Sequence, residues 1–152
     1  MNGHRRQLCT GIALTGFARF AVAQAEKPLM EVWKSPGCGC CDDWIAYIQK
    51  NGFTVKVNET GNNDARRRLG LPGMYSSCHT ALVNGYVVEG HVPAREIHRM
   101  LKEKPNALGI AVPVMPAGSP GMDGPKYSNR TEPYAVILVQ HDGNATIYQS
   151  YK

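Results

Sequence analysis

The chain has 152 residues, 43% of them apolar, with 17 Lys and Arg against 12 Asp and Glu. Its positive balance is concentrated at one end. Arg5, Arg6 and Arg19 lie in a segment that reads as a targeting signal, and the rest of the chain carries 14 basic against 12 acidic side chains. Nucleic-acid binding thereby loses its main support, and a length of this order suits one compact domain that needs no disulfide staples to stay folded.

Residues 1–25 have the layout of a removable secretory signal: "MNGHRRQ" is a positive n-region, "LCTGIALTGFARFAVA" an apolar h-region, and Ala23-Gln24-Ala25 a small-x-small cleavage site. A retained membrane anchor is disfavoured, because the run is short and carries Arg19 in its middle. Cleavage leaves residues 26–152 as the mature domain, with no membrane association, in an exported and periplasmic setting. Arg5-Arg6 before Gln7-Leu8 is compatible with the twin-arginine route.

"PLMEVWKS" alternates apolar and polar positions and predicts a strand ending at Pro36-Gly37. "DDWIAYIQKNG" predicts a helix with Trp44, Ile45 and Ile48 on one face and Gly52 as its stop. "FTVKVNE" is a second strand, and "NDARRRLG" one or two helical turns between an Asn or Asp cap and Gly70. Its arginines, Arg66, Arg67 and Arg68, read as a solvated face. "HTALVNGYVVEG" predicts a hairpin about Asn84-Gly85 with a type I′ turn. "PAREIHRMLKEK" is a helix started by Pro93, with Ile97 and Leu101 inward. Residues 105–133 are thick with Pro and Gly and read as one long loop. "YAVILVQ" and "ATIYQSY" form a second hairpin about "HDGN". The expected fold is α/β, a thioredoxin-like β-α-β-α-β-β-α sheet with the long loop and the C-terminal hairpin added.

Three cysteines, Cys38, Cys40 and Cys41, crowd into four positions and contain a C-x-C, a vicinal pair and a C-x-x-C. Thiol redox chemistry and soft-metal binding therefore start level. Topology separates them. With the first two strands parallel and the third antiparallel to the first, the cysteine loop, Cys78-His79 before the third strand and His91 after the fourth all meet at one sheet edge. A thioredoxin-type enzyme places a cis-proline opposite its C-x-x-C, where it blocks metal; here Cys78 and His79 stand at that place. Two soft or borderline ligands in a proline's position favour metal.

Taken together, "GCGCC", "SCHTALVNGYVVEGHVPA" and "GIAVPVMPAGSPGMDG" resemble the CopG-like proteins, exported thioredoxin-fold domains associated with bacterial copper resistance. The resemblance spans nearly all of the mature chain. It departs from the family pattern at Val114, where Gly is usual before "MP". It implies a cysteine-held copper site, with several ions and a role in copper redox handling.

The expected ligand set is Cys38, Cys40, Cys41, Cys78, His79 and His91, with Met115 and Met122 of the long loop as thioethers on a lid. Thiolates and thioethers select Cu(I), and a helix N-terminus favours the thiolate, although Asp42 and Asp43 oppose it. Met74 and Met100 are expected in the core, and His98 and His141 at the surface. The expected partners are the metal ion and other periplasmic copper-handling proteins. Two rivals remain: a thiol-disulfide oxidoreductase using Cys38 and Cys41, and a structural zinc site. The zinc site is disfavoured because the cysteines are not spread over two knuckles. No Ser-His-Asp constellation and no phosphate-binding glycine loop is visible.

Overall fold

The computed structural model describes residues 26–152; the expected signal segment 1–25 and its expected cleavage site lie outside the described residues. Ten elements follow in order: β1 (Leu29–Lys34), α1 (Gly39–Lys50), β2 (Thr54–Asn58), α2 (Asn63–Arg68), β3 (His79–Val83), β4 (Tyr86–Glu89), α3 (Ala94–Glu103), β5 (Gly109–Ala111), β6 (Tyr134–Val139) and β7 (Ala145–Tyr151). The strands form one mixed sheet in the order β2-β1-β3-β4-β5-β6-β7. β1 runs parallel to β2 and antiparallel to β3, and β4 returns antiparallel to β3. The register sets Lys34 opposite His79, so β3 starts where β1 hands over to the cysteines. At the far end of that hairpin Asn84 and Gly85 both have positive φ, 46° and 85°, as a type I′ turn requires.

Alternation along the strands divides the apolar residues between two faces. Met30, Val32, Val88, Ile110 and Val136 pack against Trp44, Ile45 and Ile48 of α1 and Ile97 and Met100 of α3. On the opposite face Val87, Ala111 and Val139 form a smaller core with Leu71. Fully burying side chains of this kind contributes about 1.5–3 kcal/mol each. This sandwiching of the sheet is what holds the cysteine-bearing edge still. Among the described residues no helix is long and apolar enough to cross a membrane.

The structure departs from the sequence reading at four places. α1 begins at Gly39, so Cys40 and Cys41 belong to its first turn and Cys38 is its N-cap. The 105–133 stretch contains β5, three residues placed between β4 and β6; so short a run has no periodicity of its own and gains its pairing from its neighbours. Met74 is 77% exposed instead of lying in the core, because it sits on a single 3-10 turn at Gly73–Tyr75. Arg66 is buried, not solvated, while Arg67 and Arg68 stay exposed. Met100 is in the core, and His98 and His141 are at the surface.

Candidate metal centre

Cys38 closes the turn after β1 and caps α1; its carbonyl accepts the Asp42 N–H at 3.1 Å. Cys38 and Cys41 are joined by a disulfide with their Cα atoms 5.3 Å apart, leaving Cys40 and Cys78 as free thiols. Cys40 Sγ stands 3.6 Å from Cys38 Sγ and 3.8 Å from Cys78 Sγ. The partial positive charge of the α1 N-terminus falls on this group. The two aspartates that would counter it are each held by a lysine: Asp42 lies 3.0 Å from Lys34, whose Nζ also reaches Glu59 at 2.8 Å, and Asp43 lies 2.6 Å from Lys126. Lys34 is almost fully buried, since β1 parity sets it on the same face as Met30 and Val32.

Cys78 is the junction of the site. Its Sγ lies 3.3 Å from His79 Nδ1 and 3.1 Å from His91 Nε2. His91 Nδ1 donates to the Pro120 carbonyl at 2.9 Å. A carbonyl can only accept, so Nδ1 carries the proton and the Nε2 lone pair is aimed at Cys78. His79 is fully buried, packed on Trp44 at 4.2 Å between ring centroids and edge-on to His91 at 5.1 Å. Its Nε2 has no hydrogen-bond partner, a burial that costs about 1–3 kcal/mol. With His79 Nδ1 and His91 Nε2 both facing the Cys78 sulfur, the residues form a mixed sulfur and imidazole donor set suited to a soft cation.

Two glycines permit this close assembly. Gly90, at φ +71°, brings the His91 segment so near Ser77 and Val112 that a Cβ would lie 2.5 Å from Ser77 Oγ and the Val112 carbonyl. Gly121, at φ +84°, lets the long loop lie on α1; a Cβ there would fall 2.7 Å from Trp44 N and 2.8 Å from the Cys40 carbonyl. The loop therefore covers the cysteine-bearing turn, and Pro120 beside Gly121 holds His91.

Burial and the adjacent Cys40 push the Cys78 thiol up to about 12. Burial, with His91 as neighbour, holds His79 well below the ordinary imidazole value, and burial lowers His91 against its bond to Pro120. At neutral pH the site thus consists of a protonated Cys78 and two neutral imidazoles, and a metal bound there displaces the Cys78 proton. These two histidines also predict acid lability. Unfolded imidazoles take up protons near 6.5, while the folded ones resist, so stability is fully present above that value and is lost as pH falls below it. Each can contribute up to about 1.4 kcal/mol per pH unit. Urea midpoints measured between pH 7.5 and 5 should fall, and fall less in His79→Gln; equal slopes in the two proteins would contradict this assignment.

Two groups of ligand atoms each lie within 4.8 Å of one another: Cys38, Cys40, Cys41 and Cys78, and Cys78, His79 and His91. The structure thus brings together the six Cys and His residues picked from the sequence. Met115 and Met122 line one cleft of about 290 Å³ with Tyr127 and Glu132, and Met115 is 48% exposed. The Tyr127 hydroxyl donates to Asp43 at the start of α1, which ties that cleft to the site's rim. Sequence reasoning missed the groups that support the site. The Pro120 carbonyl left no signal, being backbone. Lys34 did leave one, in the parity of β1.

A family model described as "Protein of unknown function, DUF411" matches residues 75–122, the stretch that contains Cys78, His79, His91, Met115 and Met122. A solved structure of the copper resistance protein CopG, in its form 2, is 39% identical, with 84% of this chain and 100% of that one covered and a TM-score of 0.76. The chain belongs to the CopG copper resistance protein family. Form 1 of CopG aligns equally well, at 39% identity and a TM-score of 0.75 over 83% of this chain and 98% of that one. No curated protein sequence matches. The CopG alignments reach well beyond the 75–122 stretch and include the mixed α/β architecture as a whole.

Proposed function

We propose that this chain is a periplasmic copper-binding protein that contributes to copper resistance, exported by the segment 1–25. It holds Cu(I), as several ions, on Cys38, Cys40, Cys41, Cys78, His79 and His91, with the thioethers of Met115 and Met122 at the entrance. The carrying observation is the sharing of Cys78 between a four-sulfur group and a Cys-His-His group, with one imidazole nitrogen buried and unpartnered. Thiolate-rich sets favour Cu(I) over harder cations, and sulfurs this close suit bridging between ions. Zinc fits less well, because a structural zinc site closes on four ligands and this cluster offers six. Exchange with other periplasmic copper-handling proteins and cycling between Cu(I) and Cu(II) are part of the same reading.

Native mass spectrometry of residues 26–152, reduced and loaded without oxygen with Cu(I) or Zn(II), tests it. Several tightly retained copper ions and little zinc are expected. No copper retained by the reduced protein would overturn it.

One observation favours a second reading, a thiol-disulfide oxidoreductase: the Cys38–Cys41 disulfide sits at the N-terminus of α1, where a leaving thiolate is stabilised. Against it stand Cys78 and His79 at the position where a thioredoxin-type enzyme guides its substrate with proline. Insulin reduction by metal-free protein at thioredoxin-like rates would put this reading ahead.

A further inference from the structure

Arg66 sits in the middle of the run Asn63–Arg68 and yet is only 9% exposed, while its partner Glu89, at the end of β4, is fully buried. The guanidinium grips one carboxylate oxygen through Nε at 3.0 Å and Nη2 at 2.9 Å. Nη1 reaches Asn63 Oδ1 at 3.0 Å, and Nη2 donates to the Ser77 carbonyl at 2.9 Å. Glu89 Oε1 in turn accepts the Ser77 N–H at 2.7 Å, and Oε2 accepts from the Thr80 hydroxyl at 2.5 Å. Asn62, the N-cap residue of α2, leaves its cap unmade and donates instead to the Ser77 carbonyl and to Thr80 Oγ1. Both polar groups of the Ser77 backbone are therefore held by buried side chains of α2 and β4.

Ser77 precedes Cys78 and His79, and Glu89 stands two residues before His91. We propose that the Arg66–Glu89 pair is the positioning device of the metal centre, tying the Cys78-His79 segment to the His91 segment at one fixed separation. The proposal rests on the copper reading only for what the site binds. An isolated buried ion pair is weak as a source of stability, and apolar residues of similar volume often replace one without loss. Here the pair spends its hydrogen bonds on the peptide next to two ligands, which is a geometric task. Only an arginine can perform it, because one planar fork must serve Glu89, Asn63 and Ser77 together, and a lysine ammonium cannot match that geometry.

Two variants test this: Arg66→Lys, which keeps the charge, and the double variant Arg66→Met with Glu89→Leu, which keeps an apolar packed interior. Cu(I) affinity is read by chelator competition on the reduced protein, alongside thermal midpoints and the hydrogen exchange of the Ser77 and Leu82 amides. Both variants should fold and lose about ten- to a hundredfold in Cu(I) affinity, the range expected when a ligand's supporting contacts are removed. Ser77 exchange should accelerate at least tenfold while Leu82, paired between β1 and β4, stays protected. Val139→Ala, which destabilises the smaller core away from the site, should bind Cu(I) as wild type does. Wild-type affinity in both folded variants would overturn the proposal, as would an equal affinity loss in Val139→Ala. If wild type itself binds no Cu(I), the copper reading fails separately. Ser77 exchange then decides the clamp: acceleration supports it, and unchanged rates overturn it.

Discussion

Cys78→Ser is expected to lower Cu(I) affinity more than any other single substitution in the chain, by roughly a hundredfold or more, which exceeds the range for supporting residues. Among the described residues each other cysteine belongs to one group of candidate ligands, and Cys78 belongs to both. Its sulfur is 3.8 Å from Cys40 Sγ and within 3.3 Å of a nitrogen on each histidine. Without it the remaining donors separate into three sulfurs at the N-terminus of α1 and two imidazoles, one at the start of β3 and one just after β4. Serine is nearly isosteric but offers a hard, neutral hydroxyl that Cu(I) does not favour. Folding should be nearly unaffected, because Cys78 is only partly buried and lies outside both apolar cores. Chelator competition on reduced protein measures the effect, with the urea midpoint as control. An affinity within threefold of wild type would remove Cys78 from the site.

The same residue shows how far the sequence reached. Cys78, His79 and His91 could be brought together on paper because a type I′ turn at Asn84-Gly85 fixes which ends of β3 and β4 coincide. One local rule thus placed three residues at a common edge. Cys38, Cys40 and Cys41 joined them through the parallel β1-α1-β2 crossover, a rule of handedness and not of composition. What stayed hidden was held by groups that sequence patterns do not display. The tautomer of His91 is set by a backbone carbonyl at Pro120, and any residue supplies a carbonyl. Arg66 looked solvated because three consecutive arginines usually are, and its burial follows from Glu89, distant in sequence and close in space. Lys34 was legible in principle, for it shares the face of Met30 and Val32, but a strand's last residue is usually solvated. β5 formed from residues whose local signal was only Pro and Gly, since two neighbouring strands supplied the pairing that three residues cannot specify alone.

Reduction of the Cys38–Cys41 disulfide is expected to at least double the number of Cu(I) ions the protein retains. With the bond formed, the described residues offer two free thiols, Cys40 and Cys78; with it reduced they offer four. Disulfide sulfurs carry no negative charge and are poor ligands, so the oxidised site is left with two thiols and two imidazoles. The bond is not there chiefly for stability. Its partners are three positions apart, and closing so short a loop is worth about 2 kcal/mol in the chain-entropy account, near the lower end of the usual range. A domain with two apolar cores does not depend on that. On the copper reading proposed above, the disulfide is the resting form of two ligands whose thiolates would otherwise repel each other at the N-terminus of α1. Native mass spectrometry of protein loaded with and without prior reduction measures the difference, and the Cys38→Ser, Cys41→Ser double variant supplies the control. That variant should retain the smaller number of ions under both conditions, with a urea midpoint matching that of reduced wild type. Equal loading of oxidised and reduced wild type would instead make the disulfide a structural element and confine the copper site to Cys40, Cys78 and the two histidines.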